Sequence, residues 1–331
     1  MTSVTRRGFL LQAGCIGGGV ALASRLGPFA FGGEKEPDAW PVRVTCRDVA
    51  LRPTGKPDCW SALQAVGAEG VEVVVGDNDL TLPHLHHPTV KYSLTPEEID
   101  RLAADLKAAG QRISAFCMAN RFETRPDFEI KHCVAVAQAA QKLGVPAIRI
   151  DVVPAKLGRA AFLKQVVGTL KQMIAATETT GVNFAIENHS NTTNDPEVLA
   201  ALFDGVGSQR LGLTLDTANF YWFGHPLAKV YSLCETMAPR AMHTHCKNIR
   251  YPAAEREKQR PMGWKYVQYG RPADDGDIDF ARVAAFLKKA GYRNDLCIED
   301  EFLSKDPAAT TARLIKEIDY LKQVRAVVWG K

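Results

Sequence analysis

The 331-residue sequence predicts a single α/β domain, a (β/α)8 barrel in which parallel strands alternate with helices. Eight short β-rich runs recur along the chain, and segments with helical periodicity separate most of them. No Gly-rich dinucleotide motif follows a strand, which favours a closed barrel over an open doubly wound sheet. The composition, with 46% hydrophobic and 24% charged residues, is typical of a globular chain and excludes a disordered or collagenous one.

The two types of element follow one another in a regular order. The β-rich runs are the expected barrel strands: Val42–Asp48, Val71–Gly76, Arg112–Met118, Ala147–Val152, Asn183–Glu187, Leu211–Asp216, Ala241–Cys246 and Asp295–Glu299. Helices are expected at Leu94–Ala109, Phe128–Leu143, Ala160–Thr179, Asp279–Ala290 and Ala308–Val324. Thr95-Pro96-Glu97-Glu98 places a proline and acids in the first turn of the first of these helices. The longest connection, from Cys246 to Asp295, is expected over the C-terminal mouth, where the active sites of such barrels form.

The first 40 residues are predicted to precede the barrel. Thr5-Arg6-Arg7-Gly8-Phe9-Leu10 stands before a mildly apolar segment that ends in the small-x-small pattern Ala21-Leu22-Ala23. This order is typical of a twin-arginine signal peptide, with an ordinary secretory signal as the alternative. We therefore expect a signal peptide at residues 1–23, a linker at 24–40 and the barrel at 41–327. The twin-arginine export machinery would then carry the folded protein to the periplasm or out of the cell.

Charge and hydropathy argue against two classes of partner. The formal net charge is +4 and no block of Lys and Arg stands out, so neither a nucleic-acid partner nor a membrane surface is expected. No apolar run reaches the roughly 18–20 residues of a membrane span, so we expect no stable membrane anchor. The sequence leaves an oligomer possible. Seven cysteines follow the expected cleavage site without a CxxC pair, and we expect them to be buried, free thiols.

Four successive predicted strands end in a residue that can bind a metal. They offer a glutamate, an aspartate, a histidine and a second glutamate: Glu187, Asp216, His245 and Glu299. Three carboxylates that converge at a barrel mouth would repel one another unless a cation neutralises them. Oxygen-rich ligation with one nitrogen suits Mn²⁺, Mg²⁺ or Co²⁺ better than a closed zinc site. The sequence therefore predicts one divalent metal, with Mn²⁺ expected and Mg²⁺, Co²⁺ or Zn²⁺ as alternatives. Taken singly, Glu187 and Glu299 could be salt-bridged structural acids, Asp216 a helix N-cap, and His245 a core histidine.

These residues carry a resemblance to a known family. The stretch from about Val42 to Phe302 resembles the xylose isomerase-like TIM barrel family, the sugar phosphate isomerases and epimerases. Five short motifs occur in the family's order: Ile186-Glu187-Asn188-His189, Leu215-Asp216-Thr217-Ala218-Asn219, His243-x-His245-x-Lys247, Gly276-Asp277-Ile278-Asp279-Phe280 and Gly291-Tyr292…Cys297-Ile298-Glu299. The resemblance implies that Glu187, Asp216, His245 and Glu299 bind the metal. It also implies that Glu187 and Glu299 are the catalytic pair that moves a proton.

Five further polar residues at the ends of predicted strands are expected to bind the substrate: His189, Lys247, Asn219, Asn120 and Asp151. Two positions depart from the family pattern. Many relatives have His where this chain has Asn219, and Asp where it has Asn248. Because an amide cannot shuttle a proton, these departures leave the substrate and the acid–base path open, and leave the metal site intact.

The predicted function is that of a metal-dependent sugar isomerase or epimerase. A metal that polarises a carbonyl would stabilise an enediolate while a base removes the neighbouring proton. Export, and the lack of a clear phosphate-binding loop, favour a non-phosphorylated sugar, cyclitol or keto-sugar as the carbohydrate substrate. A lyase or dehydratase that uses the same metal and glutamates, for example in β-elimination from a 3-keto-glycoside, is the alternative. A catalytically inactive, carbohydrate-binding barrel is the second alternative.

Overall fold

A computed structural model describes residues 42–330, so the expected signal peptide and linker lie outside the described residues. Eight parallel strands form a barrel: β1 (Arg43–Arg47), β2 (Val71–Val74), β3 (Ile113–Met118), β4 (Ala147–Ile150), β5 (Asn183–Glu187), β6 (Leu211–Asp216), β7 (Ala241–His245) and β10 (Asp295–Ile298). Their order in the sheet is β10-β1-β2-β3-β4-β5-β6-β7. A parallel bridge between Cys246 and Ile298 joins β7 to β10 at the remaining edge. The structure therefore confirms the predicted (β/α)8 barrel.

Ten helices occur in the described chain: α1 (Cys59–Val66), α2 (Ile99–Ala108), α3 (Pro126–Leu143), α4 (Arg159–Ala176), α5 (Pro196–Val206), α6 (Thr217–Trp222), α7 (Leu227–Met237), α8 (Tyr266–Tyr269), α9 (Phe280–Lys289) and α10 (Pro307–Trp329). Aspartates accept backbone amide hydrogen bonds at the N-termini of α1, α5, α6, α9 and α10. Helix α2 begins at Ile99, five residues after the predicted start. Thr95 accepts hydrogen bonds from the amides of Glu98 and Ile99, so the Pro-containing segment forms a turn before the helix.

The barrel interior contains buried polar side chains on β1, β2, β7 and β10. His243 on β7 reaches across the barrel to Glu72 on β2, and its other ring nitrogen faces Asp295 on β10. Thr45 on β1 donates to the second oxygen of Asp295 at 2.8 Å. None of these four side chains is exposed to solvent. Burial of these charges is tolerated because they are paired and hydrogen-bonded to one another.

The long connection between β7 and β10 folds into a small unit of its own. It holds a two-stranded antiparallel ribbon, β8 (Asn248–Ile249) with β9 (Gly270–Arg271), together with α8 and α9. Arg260 fixes this connection against α6: its guanidinium donates to the carbonyls of Tyr221 and His225. The same group lies over the rings of Tyr221 and Tyr251, 4.6 and 4.4 Å from their centroids.

All seven cysteines of the described residues are free and buried, as the sequence predicted. Cys246 lies one residue beyond β7 instead of inside it. Among residues 42–330, no helix combines the length and the apolar character needed to cross a membrane.

Asp48, which follows β1, predicts a pH-dependent stability. Its Oδ2 accepts the Val74 amide at 2.9 Å, its Oδ1 has no hydrogen-bond partner, and burial raises the pKa of the carboxyl to about 8. An unfolded Asp ionises near pH 3.9, so the wild type loses stability as the pH rises from about 4 to about 8. Asp48→Asn does not titrate. The free energy of unfolding of the variant, minus that of the wild type, should therefore increase between pH 5 and pH 8 in urea titrations. A pH-independent difference would contradict the assignment.

Candidate metal centre and active site

The structure brings the four predicted metal ligands together at the C-terminal mouth of the barrel. Glu187 ends β5, Asp216 ends β6, His245 ends β7 and Glu299 follows β10. One ligand atom from each residue lies within 4.8 Å of all the others. All four side chains are buried, with at most 9% of the side-chain surface exposed.

The two ring nitrogens of His245 face different carboxylates. Its Nδ1 lies 2.5 Å from Glu187 Oε1 and 3.2 Å from Glu299 Oε2. Its Nε2 points the other way and lies 2.5 Å from Glu72 Oε2. The nitrogen available to a metal shared with the two glutamates is therefore Nδ1.

The structure shows that Asp216 is a helix N-cap, and this is compatible with its predicted role as a metal ligand. Its Oδ1 accepts the Asn219 amide and caps α6. Its Oδ2 is buried without a hydrogen-bond partner and lies 3.1 Å from Lys247 Nζ. The Asn188 side chain fixes this residue, because it donates to the Asp216 carbonyl and accepts the Asp216 amide. One carboxylate thus caps a helix with one oxygen and directs the other, which is paired with Lys247, into the centre.

This donor set fits a divalent cation. Opposite ligands of an Mg²⁺ ion, each at about 2.0–2.1 Å, lie about 4.2 Å apart, which is compatible with the 4.8 Å limit on these four atoms. Asp216 Oδ2 makes no hydrogen bond and faces the Lys247 ammonium, so this buried oxygen is placed to attract positive charge. Three carboxylates and one imidazole suit Mn²⁺, Mg²⁺ or Zn²⁺. Glu187, Asp216, His245 and Glu299 are the residues that would hold it.

Electrostatics of the metal-free centre make metal binding dependent on pH. Burial alone would lower the pKa of His245, but Glu299, Glu72 and Glu187 outweigh it and raise that pKa well above its ordinary value. Burial raises the pKa of Asp216 to about 7 against the opposing effect of Lys247. A metal can bind only the deprotonated Nδ1, so binding releases a proton and strengthens as the pH rises.

Two arginines that sequence analysis missed hold the two glutamates. Arg149, on β4, contacts Glu187 Oε2, and Arg47, on β1, contacts Glu299 Oε1. Each glutamate therefore points one oxygen at His245 and gives the other to a guanidinium. Burial would raise the pKa of Glu187, but Arg149 and His245 hold it below the ordinary range. A basic residue at the end of an apolar strand was the available sequence signal.

Two polar groups flank the ligands on the open side. His189 Nδ1 lies 3.5 Å from Asp151 Oδ1, and about half of the His189 side chain is exposed. On the other side, Lys247 Nζ lies 2.8 Å from Glu299 Oε2 and 2.5 Å from Glu301 Oε1. Three of the residues predicted to bind substrate, His189, Asp151 and Lys247, therefore surround the metal ligands.

The other two predicted substrate residues bond to the protein itself. The Asn120 amide donates to Glu129 Oε2 at 2.7 Å, on α3. The Asn219 amide donates to the Asn188 carbonyl at 3.0 Å. Asn248, the second departure from the family pattern, binds the backbone of residues 273–278 through both ends of its side chain. These amides fix loops at the mouth, and substrate contact by Asn120 and Asn219 stays a prediction.

Comparison with known sequences decides the family. The profile of the family described as "Xylose isomerase-like TIM barrel" matches residues 60–324, which is most of the chain. The protein belongs to the xylose isomerase-like TIM barrel family. One curated member, the rhizopine catabolism protein MocC of Rhizobium meliloti, is 29% identical over 125 residues, a stretch that covers 37% of each chain.

Several solved structures share the fold at low sequence identity. The IOLI protein with a bound zinc atom is 18% identical, with a TM-score of 0.63 over 87% of this chain and 98% of that one. The D-allulose 3-epimerase from Methylomonas sp., in complex with D-allulose, is 16% identical, with a TM-score of 0.58 over 86% and 98%. The probable 3-DHS dehydratase AsbF from Bacillus anthracis is 15% identical, with a TM-score of 0.58 over 85% and 99%. The fold thus has epimerase and dehydratase neighbours.

Two substitutions at Asp216 separate its two roles. Asp216→Asn keeps an oxygen that can cap α6 but loses the charge, so we expect divalent-metal affinity to fall at least about tenfold with the apo fold intact. Asp216→Ala also loses the cap and should unfold about 1 kcal/mol more easily than Asp216→Asn. Metal titration and urea unfolding measure the two effects. Equal metal affinity in the wild type and Asp216→Asn would remove Asp216 from the ligand set.

Proposed function

We propose that the protein is a metal-dependent isomerase or epimerase that acts on a non-phosphorylated sugar, cyclitol or keto-sugar. The observation that carries this proposal is the shared geometry of Glu187 and Glu299. Each directs one oxygen toward His245 Nδ1 and holds the other on an arginine. Two carboxylates from different strands can thus reach one substrate from two directions.

The two glutamates would perform the proton transfers. A divalent cation on Glu187, Asp216, His245 and Glu299 would polarise the substrate carbonyl and stabilise an enediolate. One glutamate removes the proton from the carbon next to that carbonyl, and the other returns a proton to the same or the adjacent carbon. Arg47 and Arg149 orient the two carboxylates and favour the ionised form that acts as the base. The other glutamate must enter the step protonated, and proton exchange with solvent restores the two starting states afterwards. His189 and Lys247 are placed to bind substrate hydroxyl or carbonyl oxygens.

Charge pairing supports a substrate without a phosphate group. The cations that touch the ligand carboxylates already face acids: Arg47 faces Glu72 and Glu299, Arg149 faces Asp151 and Glu187, and Lys247 faces Asp216, Glu299 and Glu301. A phosphate dianion would have to compete with these carboxylates for each cation. A neutral polyol would form hydrogen bonds with these side chains and would not have to break their ion pairs. We therefore favour an uncharged carbohydrate, and Mn²⁺ as the metal.

A lyase or dehydratase is the second candidate. The same proton removal next to a carbonyl leads to elimination when the following carbon carries a leaving group. The similarity in fold to the dehydratase AsbF favours keeping this candidate. A 3-keto-glycoside, which carries such a leaving group at its anomeric carbon, is the substrate class that distinguishes the two reactions.

Proton exchange in D₂O tests the chemistry directly. The metal-loaded protein, given free ketoses, cyclitol ketones and 3-keto-glycosides, should introduce deuterium next to a carbonyl, as observed by proton NMR. Glu187→Gln and Glu299→Gln should each lower the exchange rate by about 10²-fold or more. Glu235→Gln is the matched control, because Glu235 lies on α7 with half of its side chain exposed and pairs with Lys289.

The products of that experiment separate the candidates. A deuterated epimer or isomer supports the first proposal, and release of the substituent from a 3-keto-glycoside supports the lyase. Full metal occupancy without exchange on any of these substrates would contradict both enzymes and favour the binding-only barrel.

Export remains a proposal of its own. The Arg6-Arg7 pair is the element that twin-arginine machinery reads. A double substitution, Arg6→Lys with Arg7→Lys, should therefore retain the protein in the cytoplasm and leave the activity of the purified barrel unchanged. Cell fractionation with a cytoplasmic marker enzyme measures this. Export of the double variant at the wild-type level would rule out the twin-arginine route.

A further inference from the structure

A carboxylate deep in the barrel, Glu72, contacts both histidines of β7. Glu72 Oε2 lies 2.5 Å from His245 Nε2 and 2.8 Å from His243 Nε2. Its other oxygen lies 3.3 Å from Arg47 Nε. The Glu72 side chain is completely buried, on a strand whose remaining residues are valines. A charge in such a position is expensive, and these contacts are what offsets its burial.

His243 fixes the direction in which Glu72 points. Its Nδ1 lies 2.9 Å from Asp295 Oδ1, and Tyr292 and Thr45 donate to the same Asp295 carboxylate. Carboxylates face both ring nitrogens of His243, so its ring spans Asp295 and Glu72. His243 thus holds Glu72 in place, with its Oε2 against the His245 nitrogen that faces away from the other ligands.

We propose that Glu72 is a positioning residue that sets the ring orientation and the tautomer of His245. This inference rests on the proposed metal site. A carboxylate at Nε2 accepts a hydrogen bond, so the Nε2 proton stays on the ring and the lone pair of the neutral imidazole is confined to Nδ1. That is the nitrogen that faces Glu187 and Glu299. Carboxylate partners of this kind also make the imidazole a stronger ligand, and their loss typically lowers metal affinity 10–100-fold.

Glu72, His243 and Cys297 also lie close enough together to be considered as a second metal site. Hydrogen bonds already use the groups that such a site needs. Glu72 Oε2 is shared by the two histidines, and His243 Nδ1 is taken by Asp295. Cys297 Sγ is 3.8 Å from Glu72 Oε2, and burial raises the pKa of its thiol well above the ordinary value, which disfavours the thiolate a metal requires. The geometry therefore favours support of His245 over a second ion.

Cobalt binding tests the role of Glu72 without relying on catalysis. Co²⁺ is titrated into the metal-free full-length barrel in competition with a chelator, and its visible absorption reports the ligand field. Glu72→Gln should weaken Co²⁺ binding 10–100-fold and shift the absorption bands, because the amide no longer enforces the Nε2–H tautomer. Glu72→Asp, which keeps the charge but withdraws it from the ring, should show a smaller loss and provides the readout if Glu72→Gln fails to fold.

Asp295→Asn is the matched control. It removes a buried carboxylate that reaches His245 only indirectly, through His243 and Glu72, so the loss of Co²⁺ affinity should be clearly smaller than in Glu72→Gln. Wild-type affinity and an unchanged spectrum in Glu72→Gln would overturn the proposal. Equal losses in Glu72→Gln and Asp295→Asn would also overturn it, since the effect would then belong to the whole network. Failure of the wild type to bind Co²⁺ would instead overturn the metal site and, with it, this inference.

Discussion

The burial of charge around His245 is the constraint on which the rest of the site depends. Three ligand carboxylates meet beside this ring, and a fourth, Glu72, lies beneath it. Removing several like charges from water is costly unless cations and hydrogen bonds surround them. Three basic residues around the carboxylates provide these cations: Arg47 on β1, Arg149 on β4 and Lys247 after β7. A divalent cation bound by Glu187, Asp216, His245 and Glu299 would add to the same balance.

This balance explains why positions far apart in the chain are tied together. Charged residues from several strands lie near the mouth, and the parallel register brings those that end β5, β6 and β7 close together. The ionic contacts therefore run across the barrel, while the hydrophobic core lies between the strands and the helices. Exchanging one acid for another changes the neighbours of several groups at once, so the interactions at this site are not expected to be additive.

The sequence predicted the barrel from eight alternating strand–helix units, and it predicted the convergence of Glu187, Asp216, His245 and Glu299 from strand ends and family motifs. Apolar strands that end in an acid or a histidine are rare, and four consecutive ones converge once the strands close into a barrel. Sequence analysis did not identify Arg47, Arg149 and Glu72 as site residues, because their roles depend on contacts with strands on other parts of the barrel. Glu72 looks like an ordinary strand acid until the structure places it between two histidines on β7. The start of α2 was mispredicted because Pro96 is equally compatible with a turn.

The departures from the family pattern have a structural explanation that bears on the chemistry. Asn219 bonds the backbone of Asn188, and Asn248 binds both sides of the loop that leads into α9. A Cβ on Gly276 would clash with the Asn248 side chain, which shows how closely that loop packs on it. Since both amides are committed to the backbone and neither can carry a proton, the ionisable groups left at the centre are the ligand carboxylates, Lys247 and the His189–Asp151 pair. This is the reason the proposal assigns proton transfer at the substrate carbon to Glu187 and Glu299.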